Sequence, residues 1–311
     1  MQRIQYDRYG GPEELRLDDV EIVEPEGSQI RVRVIAASVN PMDWVIRRGR
    51  VKSMTGSRFP RGLGHDFAGV VEAVGPDARR LKVGDAVFGA AGMKEAGTFA
   101  ETVVTEEKNA FIKPSTLSFE VAGALPIVSI TASTGLFDKA KLRPGQSVFV
   151  TGCLGGVGRA AVQLALLRGA TVAGNCGASG RDEALALGVS TVFDYRVFDV
   201  DALRHRFDVV FDTAGALSLG QCDALLKRGG VALHIVITPA KMLRSLVSSR
   251  HKTVFGTATS DGMACIVDAA VQGKLTPKIA RKVSLSEAIP AIIELEKASS
   301  PKGKLVIVPS P

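Results

Sequence analysis

Ser147-Val148-Phe149-Val150-Thr151-Gly152-Cys153-Leu154-Gly155-Gly156-Val157-Gly158-Arg159 is the stretch on which the fold turns. Its first five residues form an apolar, β-branched run of the length of a buried strand. From residue 157 to 168, Ala and Leu return at helical intervals. A glycine-rich loop by itself says little, but one set between a strand and a helix has a physical purpose. Glycines allow a tight turn and let the backbone approach a pyrophosphate. The helix N-terminus adds free N–H groups and the positive end of its dipole. Gly152, Gly155, Gly156, Val157 and Gly158 are therefore expected to cradle a dinucleotide.

Outward from this loop the alternation continues. Residues 170–174, 191–193, 208–212 and 231–237 read as further strands, with helices at 181–187 and 217–227 between them. Strands and helices alternating over short connections predict a doubly wound parallel sheet. Upstream the texture differs. Residues 29–39 alternate polar and apolar with period two, and short strands fit at 65–74, 86–88 and 98–104 between glycine-rich turns. That density of turns predicts a compact barrel-like β domain rather than helices. Residues 119–140 have helical spacing broken by Pro126, and a helix near 286–297 precedes a last strand at 305–308. The expected division is a β domain of residues 1–120 and 256–311, around a nucleotide-binding domain of residues 121–255.

Composition agrees with a folded α/β protein. Of 311 residues, 46% are hydrophobic and 23% charged, while aromatics reach only 5%, so Val, Leu, Ile and Ala must fill the cores. The net charge of +7 gathers at Arg47, Arg48, Arg50, Lys52, Arg58 and Arg61, and again from Lys241 to Lys252. Such runs solvate a face and attract anionic ligands. No zinc knuckle, aromatic RNA-binding strand or long basic helix accompanies them, so no nucleic-acid partner is expected. The four cysteines lie far apart, which excludes a disulfide framework and fits a reducing, cytoplasmic setting. Arg3, Asp7 and Arg8 interrupt any leader, and the uncharged run 121–137 is too short and broken for a bilayer.

The second strand selects the cofactor. NAD enzymes place an Asp or Glu about 20 residues beyond the loop, on the ribose 2′-hydroxyl. Here Ala173-Gly174-Asn175-Cys176 carries no acid, and none appears before Asp182. A carboxylate there would repel a 2′-phosphate. Instead Ser179 and Arg181 offer a hydroxyl and a fixed cation. Tyr195 and Arg196 follow the third strand and are expected to flank the adenine ribose. These residues point to NADPH in place of NADH.

Several motifs carry a family resemblance. Ser38-Val39-Asn40-Pro41-Met42-Asp43-Trp44, Gly64-His65-Asp66-Phe67-Ala68-Gly69-Val70-Val71 and Val83-Gly84-Asp85-Ala86-Val87 resemble the medium-chain dehydrogenase/reductase superfamily. So do Gly97-Thr98-Phe99-Ala100-Glu101, the glycine loop and the terminal Gly303-Lys304-Leu305-Val306, in the family's order and over nearly the whole chain. The Asn-Pro form of the first motif is similar to the quinone oxidoreductase and enone reductase branch. The resemblance implies a GroES-like β domain beside a Rossmann domain, with the active site in the cleft, and a homodimer as the family's habit.

It also implies roles. Asn40 would sit beside the nicotinamide with an amide free to donate, Thr131 would contact the cofactor, and Lys304 joins the cofactor contacts. Trp44 would line the pocket and Asp43 would act as a hydrogen-bond acceptor. His65 is either a packed, hydrogen-bonded histidine or a proton donor, since histidine ionises near working pH. Zinc-dependent members carry Cys where this chain has Asn40. Residues 1–152 contain no Cys; His65, Asp66 and Asp43 could in principle supply three ligands, but no metal is expected. Hydride would pass to a quinone or an α,β-unsaturated carbonyl. The stretch Gly49 to Pro60 lacks the tyrosine that enoyl-thioester reductases carry there. Two alternatives stay open: reduction of another activated double bond, and NADPH binding without catalysis.

Overall fold

The apolar strand Ser147–Val150 is buried along most of its length and lies inside a six-stranded parallel sheet. In space the sheet runs Thr191–Asp194, Thr171–Cys176, Ser147–Val150, Phe207–Asp212, Leu226–His234 and His251–Thr253. In chain order this is the dinucleotide-binding arrangement, which reverses direction between Ser147–Val150 and Phe207–Asp212. The strand C-termini open a crevice at such a switch point. Several of the scarce aromatics pack at this sheet. Phe149 stacks on Phe198 at 5.1 Å and meets Phe207 at 5.1 Å, against a core of Val210, Leu217 and Leu226.

The computed structural model describes residues 1–298 and 302–309. The chain divides into two compact units, Val128–Thr276 and a unit made of Met1–Ile127 with the segment from Pro277 onward. The sequence reading began the returning segment at 256. The helix Ser260–Val271 instead buries Met263, Ile266, Ala269 and Ala270. Thr276 is fastened to Gln163, whose carbonyl oxygen accepts the Thr276 N–H at 2.9 Å. The strand expected at 231–237 starts earlier, at Leu226, and ends at His234. The sixth strand, His251–Thr253, carries no apolar alternation and was invisible to pattern.

In the other unit Gln29–Ser38 is the organising strand, pairing antiparallel with Asp66–Val74, Thr102–Glu106 and Lys304–Val308. Ile279–Ser284 adds to Lys304–Val308, and the helix Ala288–Lys297 buries Ala288, Ala291 and Ile292 in the same core. The tail thus completes the β domain. A three-stranded sheet, Arg16–Asp19, Gln2–Tyr6 and Arg61–Gly62, stands beside it. Two helices break the all-β expectation, Pro41–Arg47 and the single turn Lys52–Thr55, and the first starts directly after Asn40. Proline at its first position is already set for a helix, and the Asp43 carboxylate accepts the Asn40 backbone N–H at 2.8 Å. Among the described residues no helix is long and apolar enough to cross a membrane.

Candidate active site

The nucleotide loop is built from two close approaches. Gly152 has φ +57, a conformation open to glycine, and its N–H donates to Asn175 Oδ1 at 2.9 Å. Gly152 O in turn accepts the Gly155 N–H at 2.9 Å. A Cβ on Gly158 would stand 2.1 Å from that same oxygen, so only glycine closes the turn there. Gly155 caps the helix Gly156–Leu167, whose first intrahelical bond is Arg159 N to Gly155 O at 2.7 Å. The N–H groups of Gly156, Val157 and Gly158 are left without helical acceptors at a helix start that is exposed at Gly156 and buried by Gly158, an arrangement that suits phosphate oxygens.

Two buried residues that sequence reasoning missed hold this loop. Asn175 is 4% exposed and ends its amide on Gly152. Asp212, fully buried, accepts Thr151 Oγ1 at 2.9 Å and the Ala216 N–H at 2.9 Å on one oxygen. Its other oxygen accepts Lys241 Nζ at 2.7 Å. Asp212 therefore ties the glycine loop to the loop after the fourth strand. A carboxylate ending a Phe-Asp strand was the only available sign, and its cation lies on a helix, Pro239–Val247, that pattern did not reveal.

The expected rim residues fall together. Ser179 and Arg181 are exposed, the first in the turn Ala178–Gly180 and the second opening the helix Arg181–Ala186. Arg181 Nη1 donates to Val192 O at 2.8 Å. Tyr195 is 51% exposed, its N–H donates to Cys176 O at 3.2 Å, and Arg196 lies 5.3 Å from its ring centre. Thr131 is half-buried in the helix Pro126–Ser133, close to the backbone at Gly256. The thiols of Cys153 in the loop and Cys222 in the helix Leu219–Leu225 are quiet: burial pushes both up to about 12.

In the β unit, Asn40, Asp43, His65 and Lys304 come together with Ser38 and Asp66. All six are 7% exposed or less. Asn40 Nδ2 donates to Asp66 Oδ2 at 2.8 Å and to Ser38 O at 3.3 Å, while Asn40 Oδ1 accepts Lys304 Nζ at 2.6 Å. Asp66 also accepts Ser38 Oγ at 2.7 Å and the Ile127 N–H at 2.8 Å. The amide expected to be free is thus fully engaged, and Lys304, expected at the cofactor, lies inside this network. Burial pulls the Lys304 ammonium below its ordinary range, with Asp66 and Asp43 opposing. Asp43 is an acceptor, as anticipated from its motif, taking His65 Nδ1 at 3.0 Å. His65 Nε2 is buried and has no partner among the described residues. Trp44 is half-buried against the apolar core. Among the described residues no group of three or more His, Cys, Asp or Glu is placed to hold a metal.

One further pair shapes the Rossmann unit's response to acid. His234 and His251 are buried and stacked at 5.4 Å, with Nε2 to Nδ1 at 3.1 Å, and His251 reaches Asp223 at 3.2 Å. Burial, then Lys241, pushes His234 down to about 4. The unfolded chain therefore takes up this proton first. Stability is complete above about pH 6.5 and falls as pH drops, by about 3 kcal/mol before levelling off below the folded value. Denaturant titrations from pH 7.5 to 4 are expected to show this loss, and His234→Asn to flatten it. An unchanged slope in the variant would assign the acid sensitivity elsewhere.

Comparison with known proteins agrees with this geometry. The alcohol dehydrogenase GroES-like domain family matches residues 26–115, and the zinc-binding dehydrogenase family matches residues 187–307. The chain is 33% identical to the 2-methylene-furan-3-one reductase of Solanum lycopersicum, over 100% of this chain and 80% of that one. It is 34% identical to the chloroplastic NADPH-dependent alkenal/one oxidoreductase of Arabidopsis thaliana, over 75% of this chain and 62% of that one. The solved quinone oxidoreductase of Coxiella burnetii matches with a TM-score of 0.90 at 29% identity, covering 100% of this chain and 99% of that one. The Arabidopsis relative is named for the chloroplast, and the free thiols that suggested a cytosol do not separate one reducing compartment from another. A GroES-like β unit, a Rossmann sheet and full-length relatives together place this chain in the medium-chain dehydrogenase/reductase family of oxidoreductases, in its quinone oxidoreductase and enone reductase branch.

Proposed function

We propose that this protein is an NADPH-dependent reductase of quinones or α,β-unsaturated carbonyls that works without zinc. The observation carrying the cofactor reading is the exposed Ser179 and Arg181 beyond the second strand, where an NAD enzyme would present a carboxylate. Gly156, Val157 and Gly158 would hold the pyrophosphate, with Tyr195 beside the adenine ribose. Bound NADPH supplies the hydride. The Arabidopsis relative, named for NADPH and for alkenals and enones, supports the same reading.

The buried polar cluster does not fit zinc. Asp66 is already met by the Lys304 ammonium at 3.4 Å, and Asp43 is taken by His65 and the Asn40 N–H. A metal would have to displace a resident cation. Negative charge that develops on a substrate oxygen needs a hydrogen-bond donor. Among the proposed catalytic residues, His65 has a ring nitrogen without a partner among the described residues, and Asp43 on its other nitrogen fixes the ring's orientation. Asn40 positions Lys304 and Asp66. Trp44 supplies apolar wall.

The test is oxidation of NADPH and NADH with 1,4-benzoquinone, a naphthoquinone and a short enone, with and without chelator. Turnover with NADPH is expected to survive chelation. Arg181→Gln is expected to raise KM for NADPH about 10–100-fold, the size of one charge-assisted phosphate contact or two, and to leave NADH nearly unchanged. Equal loss with both cofactors would remove Arg181 from the phosphate, and chelator-sensitive turnover would restore a metal.

A further inference from the structure

The buried side-chain atoms of the β unit without a partner among the described residues include the Tyr6 hydroxyl, Arg47 Nη1 and Arg61 Nη1. They belong to side chains exposed by 0%, 0% and 8% respectively. Tyr6 and Arg61 are direct partners across the antiparallel pairing of Gln2–Tyr6 with Arg61–Gly62, which sets their side chains side by side. The Phe59 ring stands 5.9 Å from the Tyr6 ring and 6.0 Å from Arg61 Cζ. Burial pushes the Tyr6 phenol up to about 12, against the opposing pull of Arg61 and Arg47 nearby, so the hydroxyl keeps its proton and remains a donor.

The charges around these donors do not balance. Arg47 pairs with Glu296 at 2.7 Å, and Arg48 takes the same carboxylate at 2.7 Å. Arg61 Nη2 donates to Thr55 O, and among the described residues no carboxylate pairs with Arg61. Arg47 and Arg48 thus share one carboxylate, and Arg61 has none among the described residues. Buried cations are normally paired, and unsatisfied buried groups in a native protein mark a missing ion or water. Since every unsatisfied atom here donates, the missing species accepts. Since the surplus charge is positive, it is an anion.

We propose that Tyr6, Arg47 and Arg61 form a binding site for a small oxyanion, a phosphate or carboxylate group. Guanidinium forks match the geometry of both groups. Arg50, Lys52 and Arg58, which lie between Arg47 and Arg61 in the chain, are exposed and add positive charge that attracts anions. The site also reaches the polar cluster, because Arg47 ends the same short helix, Pro41–Arg47, that Asn40 and Asp43 begin. Binding is read without turnover, so the test stands apart from the proposed reductase activity.

The experiment follows the melting temperature of the full chain in sodium phosphate and in sodium acetate, from 1 to 50 mM, with sodium chloride holding ionic strength constant. A saturable rise of about 2–4 °C with at least one of the two anions is expected. A response to phosphate alone identifies a phosphate site, and one to acetate alone a carboxylate site. Arg61→Gln is expected to abolish the rise, and Tyr6→Phe, which deletes only the hydroxyl, to move its midpoint about 3–10-fold higher. If Arg61→Gln does not fold, the Tyr6→Phe midpoint decides. No rise above chloride would overturn the proposal and leave water at these donors. The same rise in Arg61→Gln, or an unmoved midpoint in Tyr6→Phe, would overturn it too.

Discussion

Replacing Gly158 by alanine is expected to abolish useful NADPH binding, raising its Kd at least about 100-fold, or roughly 3 kcal/mol. The added methyl would sit 2.1 Å from Gly152 O and 2.9 Å from Gly152 C, both backbone atoms that cannot swing aside. Relief requires the loop to move away from the helix it opens, which breaks the Gly152–Asn175 bond and misdirects the N–H groups of the first turn. Stability should fall as well, by about 1–3 kcal/mol, the usual penalty of overpacking a tight site. Gly155 offers an internal control. Its φ is −68, which any residue adopts, and its nearest neighbour, Gly152 O, would lie 3.2 Å from a new Cβ. Gly155→Ala is therefore expected to weaken binding about tenfold and to leave the melting temperature nearly unchanged. Fluorescence titration of NADPH against both variants measures the contrast. Equal affinities in the two would mean that the close approach at Gly158 does not position the cofactor.

The largest stability effect is expected at Asp212. Asp212→Asn keeps an oxygen for Thr151 and Ala216 but leaves the Lys241 ammonium, 5% exposed, facing a neutral amide. Breaking a buried ion pair from one side costs about 3–5 kcal/mol, because the remaining charge loses both water and partner. The melting temperature should drop by about 8–15 °C. Removing the charge as well, in Asp212→Asn with Lys241→Met, is expected to recover more than half of the loss, since a paired buried charge replaced by apolar volume is often close to neutral. NADPH affinity separates the two functions of the aspartate. The double variant should regain stability while its Kd stays several-fold above wild type, because neither substitution restores a carboxylate to brace Thr151. A cycle in which both single losses simply add would show that Asp212 and Lys241 act independently.

How much of this was legible beforehand follows the range of the interactions. The nucleotide loop was readable because its demands are local. A strand, a turn that tolerates only glycine and a helix start occupy thirteen consecutive residues, and backbone sterics write them into the sequence. The parallel sheet followed from the same short-range alternation. Pattern failed where an element lacks a simple apolar face. The helix Pro239–Val247 turns Lys241 inward to Asp212 and leaves Leu243, Leu246 and Val247 exposed, the reverse of the usual arrangement. Its only strong anchor is an ion pair, which has no periodicity to detect. The strand His251–Thr253 is three residues of polar and charged type, recruited by a neighbour rather than by its own propensity.

The sequence by itself therefore determined the architecture, the family and the glycine loop, because each rests on contacts between residues close in the chain or on motifs in a set order. Tertiary structure decided what surrounds that loop and what the polar residues of the β unit are free to do. Asn40 meets Lys304 across 264 residues, Asp212 meets Lys241 across 29, and Tyr6 meets Arg61 only because two strands pair. A side chain's chemistry is set by its partners and its loss of water, and both are properties of the folded chain.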